Sequence, residues 1–205
     1  MRRGGVREAL SGSAVALRER VVAAALRCFA RYGAKRTSLD DVAEEAGLSR
    51  QSVYRAFESR SALIQFILDQ RIQAMGAALQ SYFSEVPDIE EALVEGSIRS
   101  LAVSRRDRLF REIIENSTDH SVETFLLRGS PAIRTMMHSL WDPIVDRARG
   151  EGRLRAGVTN KRFIEWLMSV HTMMRLREPT EAALRRDLRD FFVPSVVAAP
   201  RTRVR

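Results

Sequence analysis

The stretch Ser38-Leu39-Asp40-Asp41-Val42-Ala43-Glu44-Glu45-Ala46-Gly47-Leu48-Ser49-Arg50-Gln51-Ser52-Val53-Tyr54-Arg55-Ala56-Phe57 reads as two short helices meeting at Gly47. Ser38 can cap the first, and Asp41, three residues on, completes a capping box. Gly47 suits the left-handed position that ends that helix. Ser49 then caps a second helix that runs to about Ala56. Val42, Ala46, Leu48, Val53 and Ala56 fall where a helix-turn-helix needs buried side chains, and Ala43 sits where crossing helices leave room for a methyl only. Arg50, Gln51, Ser52, Tyr54 and Arg55 are left on the outer surface of the second helix. They are polar, free of acids, and of types that contact phosphates and base edges.

Charge placement agrees. Arg50 stands at the start of the second helix and Arg60 at the start of the next one. A cation there opposes the helix dipole by roughly 0.3–1 kcal/mol, a poor choice for the fold alone. It makes sense if a phosphate lies at that end, where backbone N–H groups and guanidinium hold the anion together. The alternative for either arginine alone is a solvated surface group; together with the turn pattern they favour DNA.

At 205 residues the chain can hold one large domain or two small ones around a sizeable core. Apolar residues make up 45% and charged residues 29%, which is a globular rather than a disordered composition. The formal net charge of +8 favours a polyanion or an anionic surface as partner. Cys28 is the only cysteine, so no internal disulfide forms and nothing points to an oxidising compartment. Its place beside an apolar stripe makes it a small hydrophobe rather than a reactive thiol. The apolar runs fall short of the ~20 residues that span a bilayer. Arg2, Arg3, Arg7 and Glu8 interrupt the N-terminus where a signal peptide would be apolar. The expectation is a cytoplasmic, nucleoid-associated protein with no membrane partner.

Residues 1–13, rich in glycine and arginine, read as a flexible basic arm. A helix follows from about Ala14 to Tyr32, with Val22, Ala25, Leu26 and Phe29 on one face. Leu26, Phe29 and Tyr32-Gly33, then Thr37-Ser38, Val42-Ala43 and Ala46-Gly47-Leu48-Ser49, then Val53-Tyr54, Phe57, Arg60 and Leu63 form a pattern without gaps. It resembles the DNA-binding domain of the tetracycline-repressor (TetR) family over about a quarter of the chain. The chain departs from the family pattern in two respects. The family often has an aromatic and a histidine where this chain has Arg55 and Ala56, and a lysine in place of Arg60.

The resemblance implies an all-α homodimer: a three-helix, N-terminal helix-turn-helix DNA-binding domain (residues 14–60) and a larger helical domain (residues 61–205) for effector binding and dimerisation. Thr37, Ser38, Tyr54 and Arg60 would hold phosphates, while Arg50, Gln51, Ser52 and Arg55 enter the major groove of a double-stranded operator. The face carrying Phe163, Trp166, Leu167 and Val170, with Leu184 and Leu188 on the last helix, is expected to pair with its mate. Flexible thioethers and rings suit an adaptable apolar effector site. Met75, Phe83, Phe110, Met136, Met137, Trp141 and Met174 are its candidate lining, with Asn116, His138 and His171 as polar contacts.

The function expected is a ligand-responsive repressor, released from a pseudo-palindromic operator by a small hydrophobic effector. An activator or a helical adaptor of the same fold is the alternative. An enzyme is disfavoured: no Gly-rich phosphate loop, metal-ligand spacing or nucleophile elbow is present, and His120, His138 and His171 are scattered. No cofactor and no metal are expected.

Overall fold

The computed structural model describes residues 4–117 and 130–199. The short helix expected over Val122 to Leu127, with the loop before it beyond Ser117, lies outside the described residues. Every described element is helical, apart from an isolated antiparallel bridge between Leu154 and Val197.

Helix α1 spans Gly4–Tyr32. It therefore begins well before Ala14, and residues 4–13, read as a flexible arm, continue the helix. Arg7, Glu8, Ala9 and Leu10 are strong helix formers, and one glycine at position 12 costs only about 1 kcal/mol. After a 3-10 turn at Ala34–Arg36 come α2 (Leu39–Ala46), α3 (Arg50–Ala56) and α4 (Arg60–Glu85). Helix α5 runs from Ile89 to Arg106 as Ile89–Glu91, a π-helical turn Ala92–Gly96, and Ser97–Arg106. Next are α6 (Arg108–Ser117), α7 (Pro131–Gly150) and α8 (Asn160–Arg177). Helix α9 follows as Glu181–Asp187, a second π turn Leu188–Phe192, and Val193–Val196.

Local chemistry sets these boundaries. Asp88, Ser130, Thr159 and Thr180 each accept a backbone N–H of the first turn of α5, α7, α8 and α9. Pro131 occupies the first position of α7, where its missing N–H costs nothing.

The described residues fall into two compact units, 4–70 with 109–117, and 71–108 with 130–199. The core of the first is built from Val21, Ala25 and Phe29 of α1, Val53 of α3, and Phe110, Ile113 and Ile114 of α6, all buried. In the second, Trp141 packs edge-on to Phe83 at 4.8 Å and against Phe163 at 5.4 Å. Gly96, at the end of the first π turn, lets the backbone approach this stack; a Cβ there would lie 2.9 Å from Phe83 Cζ. The π turns of α5 and α9 pack against each other, and Arg185 of α9 forms an ion pair with Glu95 of α5.

Candidate nucleic-acid interface

The expected helix-turn-helix is built as its sequence reads. Ser38 Oγ accepts the Asp41 N–H at 3.1 Å, and Asp41 Oδ2 accepts the Ser38 N–H at 2.8 Å. The Ser38 N–H and hydroxyl together hold the Asp41 carboxyl below the usual carboxylate range. Gly47 is left-handed (φ 60°, ψ 41°), and Leu48 N–H returns to Ala43 O at 3.0 Å to close α2. Ser49 Oγ accepts the Ser52 N–H at 3.2 Å and starts α3. Val42, Ala43, Ala46, Val53 and Ala56 are buried between the helices, while Leu48 is half-buried.

The outer face of α3 presents Arg50, Gln51, Tyr54 and Arg55 to solvent, with Ser52 half-exposed. Tyr54 is 50% exposed although aromatic, so its ring and hydroxyl are free to meet a partner. Arg50 Nε pairs with Asp40 Oδ1 at 3.0 Å across the turn, an exposed contact that a phosphate can displace. Ser38 is exposed at the start of α2.

Two expected phosphate contacts need correction. Thr37 is 2% exposed, and its hydroxyl donates to Gly33 O at 3.0 Å, so the side chain is a structural group. Arg60 does not reach outward: its Nε donates to Thr37 O at 2.8 Å, and its Nη2 donates to Ala34 O. The arginine serves two carbonyls at the 3-10 turn, and the threonine adds a second donor to Gly33 O, which also accepts the Arg36 N–H at 3.3 Å.

Helix α1 supplies a clamp that no single motif announces. Arg20 Nε donates to Ala46 O at 3.0 Å, at the end of α2. Arg18 Nε donates to Ala56 O at 3.3 Å, at the end of α3, and its guanidinium lies 5.5 Å from the Phe57 ring centre. Cations at helix C-termini are favourable for the dipole, and the ring adds a cation–π contact. The signal in the sequence is Arg18 four residues before buried Val22, which puts it at the rim of the α1 apolar stripe. Arg27 also pairs with Glu45 at 2.6 Å, and that hydrogen bond lowers the Glu45 pKa. Burial raises the pKa of the Cys28 thiol, in keeping with a structural role.

The same residues carry a likeness to known proteins. Residues 21–66 match the family described as bacterial regulatory proteins, tetR family. Residues 21–66 thus carry a TetR-family domain. Over 52 residues the chain is 40% identical to the HTH-type transcriptional regulator TtgR of Pseudomonas putida, a stretch covering 25% of each protein. The chain thus spans a quarter of that relative's length. Among solved structures, SmeT, the repressor of the Stenotrophomonas maltophilia multidrug efflux pump SmeDEF, is 23% identical, with a TM-score of 0.55 over 89% of this chain and 91% of SmeT. A TetR family transcription regulator from Marinobacter aquaeolei is 18% identical, with a TM-score of 0.55 over 89% of this chain and 96% of its own. SmeT has also been solved as a complex with triclosan (23% identical, TM-score 0.50, 90% of this chain and 93% of that one). At these identities the likeness is one of fold, and it extends well beyond residues 21–66.

The candidate effector residues divide between the units. Met75, Phe83, Met136, Met137, Trp141, His171 and Met174 belong to the second, where all but half-buried Met136 are buried. Phe110 and Asn116 belong instead to the first unit. Phe110 is core there, while Asn116 is exposed and donates to Glu112 O at 3.0 Å, because α6 turns its apolar stripe inward and its polar face out. His138 bonds Asp142 one turn along α7 at 3.0 Å, a contact within its own helix. The second unit also has a surface cleft of about 650 Å³ lined by Asp88, Glu91, Val94, Glu95, Arg189 and Val193, none of them among the candidates.

The expected pairing face is corrected more sharply. Phe163, Leu167, Val170, Leu184 and Leu188 are all buried within the subunit, where α8 and α9 pack on their own neighbours. Trp166 alone of that set is open, at 48% exposure, with Nε1 donating to Ser195 Oγ at 2.9 Å. Met173, Leu176 and Phe191, absent from that set, are the other large apolar side chains exposed on α8 and α9, Phe191 to 74%.

Proposed function

We propose that this TetR-family chain is a ligand-responsive transcriptional repressor that binds a pseudo-palindromic operator as a homodimer. The observation that carries the reading is the acid-free outer face of α3, with Arg50, Gln51, Tyr54 and Arg55 exposed on a capped, clamped helix. Phosphate contacts from Ser38 and Tyr54 would set the register, and Arg50, Gln51, Ser52 and Arg55 would meet base edges. A dimer would place the two copies of α3 about one DNA turn apart. Its support is the exposed apolar set Trp166, Met173, Leu176 and Phe191, which an isolated subunit leaves in water. The second unit would take the effector among its methionines and rings. The SmeT–triclosan complex supports a small lipophilic ligand there. The ligand would release DNA only through a difference in its affinity for the bound and free forms.

A gel-retardation assay on duplex from the gene's own upstream region tests the reading. Wild type should retard it, and the Arg50→Ala, Gln51→Ala, Arg55→Ala triple variant should not. Equal retardation by both proteins would remove α3 as the reader.

A further inference from the structure

Where the start of α8 meets the end of α9, the second unit has another surface cleft, of about 390 Å³, within the size range of small-molecule sites. The connection before α8 is pinned to the end of α9: Arg155 N–H donates to Val196 O at 3.0 Å, and Ala198 N–H donates to Arg153 O at 2.8 Å. Gly157 turns that connection back with φ 80°, a left-handed conformation that suits glycine. Arg162, in the first turn of α8, closes over it and donates from Nη1 to Gly157 O at 2.8 Å. A Cβ on Gly157 would lie only 3.2 Å from that nitrogen. Buried Phe163 and Val196 give the cleft an apolar base.

The charges at this cleft have one sign. Arg155 Nη1 donates to Pro194 O at 2.9 Å, so each guanidinium spends one nitrogen on a backbone carbonyl and keeps its other donors for a ligand. Among the described residues neither arginine forms an ion pair, and no carboxylate lines the cleft. Trp166 supplies a flat wall. Its Nε1 donates to Ser195 Oγ at 2.9 Å, and that hydroxyl donates in turn to Phe192 O at 2.7 Å. The indole is thus held in one orientation while 48% of the residue stays exposed. The cleft lined by Asp88, Glu91 and Glu95 in the same unit is rich in carboxylates and disfavours an anion.

We propose that the Arg155–Arg162–Trp166 cleft binds a small aromatic carboxylate. The guanidiniums take the carboxylate through paired hydrogen bonds, and the ligand ring lies on the indole. This site is separate from the core residues considered for the effector and does not rest on the repressor reading. Met173 and Leu176 lie about 10 and 15 Å further along α8, so two copies can pair through them without closing the cleft.

Calorimetry on the full chain without DNA tests the proposal, with 2-naphthoate, its neutral isostere 2-naphthamide, and inorganic phosphate as probes. Wild type should bind the naphthoate at least about tenfold more tightly than either of the others. Arg155→Gln and Arg162→Gln should each weaken naphthoate severalfold, whereas the Arg50→Ala, Gln51→Ala, Arg55→Ala triple variant should bind it as wild type does. In a nitrogen–proton correlation spectrum, the indole resonance that disappears in Trp166→Phe should move on adding naphthoate, and by more than that of Trp141. Equal affinity for naphthoate and naphthamide, tighter binding of phosphate, or binding by none of the three overturns the proposal. So does unchanged affinity in both arginine variants, loss of binding in the triple variant, or an unmoved Trp166 resonance.

Discussion

Arg60 donates to Thr37 O at 2.8 Å and also to Ala34 O, and so ties the start of α4 to the turn before α2. Arg60→Ala should lower the unfolding free energy by about 2 kcal/mol in a urea titration, because charged hydrogen bonds to part-buried carbonyls are lost. The salt dependence of DNA binding should stay near wild type. For Arg55, exposed on α3, the expectation is reversed: Arg55→Ala should leave stability unchanged and, for a phosphate contact, make the log K against log salt slope shallower by about one per subunit. If it reads guanine instead, discrimination at one base pair should fall by about 1–3 kcal/mol. His171 makes a pH prediction. Its folded pKa is depressed from 6.5 to about 4, so the unfolded chain binds the proton first as pH falls. Its contribution is full above about pH 6.5 and is lost down to about pH 4, with a ceiling of about 3 kcal/mol. Urea titrations at pH 7 and 4.5 should show a larger loss in wild type than in His171→Leu; parallel losses would mean that the ring does not titrate in that window.

Among elements, the α2–α3 motif was legible because its signals are local. Ser38, Asp41, Gly47 and Ser49 act within one helical turn of themselves, and the structure uses each as read. Gly47 carries the sharpest consequence. Its φ of 60° is strained for any residue with a Cβ, so Gly47→Ala should cost about 1–2 kcal/mol, read as a lower thermal midpoint with α3 intact by circular dichroism. Helices α8 and α9 were legible as helices, but their pairing face was not. Periodicity marks Phe163, Leu167 and Val170 as buried without saying by what, and the subunit itself buries them. Trp166, Met173 and Leu176 sit on the flank of the same helix, where an apolar residue looks in sequence like the edge of one broad stripe. Arg60 misled for the related reason that a helix-start cation can serve a distant phosphate or a nearby carbonyl, and only the fold around the 3-10 turn decides which.

For the whole molecule, the prediction concerns association. Leu176→Glu and Phe191→Glu place charge on exposed positions, so each should fold normally yet shift sedimentation from dimer toward monomer and weaken retardation of a two-half-site duplex. Phe163→Ala should instead lower stability by about 3–5 kcal/mol, since it removes a fully buried ring. Length and motif lead to an expected boundary at residue 60, whereas the compact units divide after residue 70 and α6 joins the first, because its strong amphipathic pattern names a buried face without naming the unit that buries it. The paired π turns, Ala92–Gly96 and Leu188–Phe192, have a bearing on how the chain tolerates change in length. Each holds one residue more than an α turn, so a single-residue deletion inside it would close the turn to ordinary winding and leave the downstream face where it is, whereas the same deletion in a regular stretch would rotate that face by about 100°. A deletion within Leu188–Phe192 would thus keep Ser195 near Trp166 and Val196 in the core. Relatives aligned through these helices should therefore tolerate a one-residue gap at the π turns and none in the regular stretches beside them.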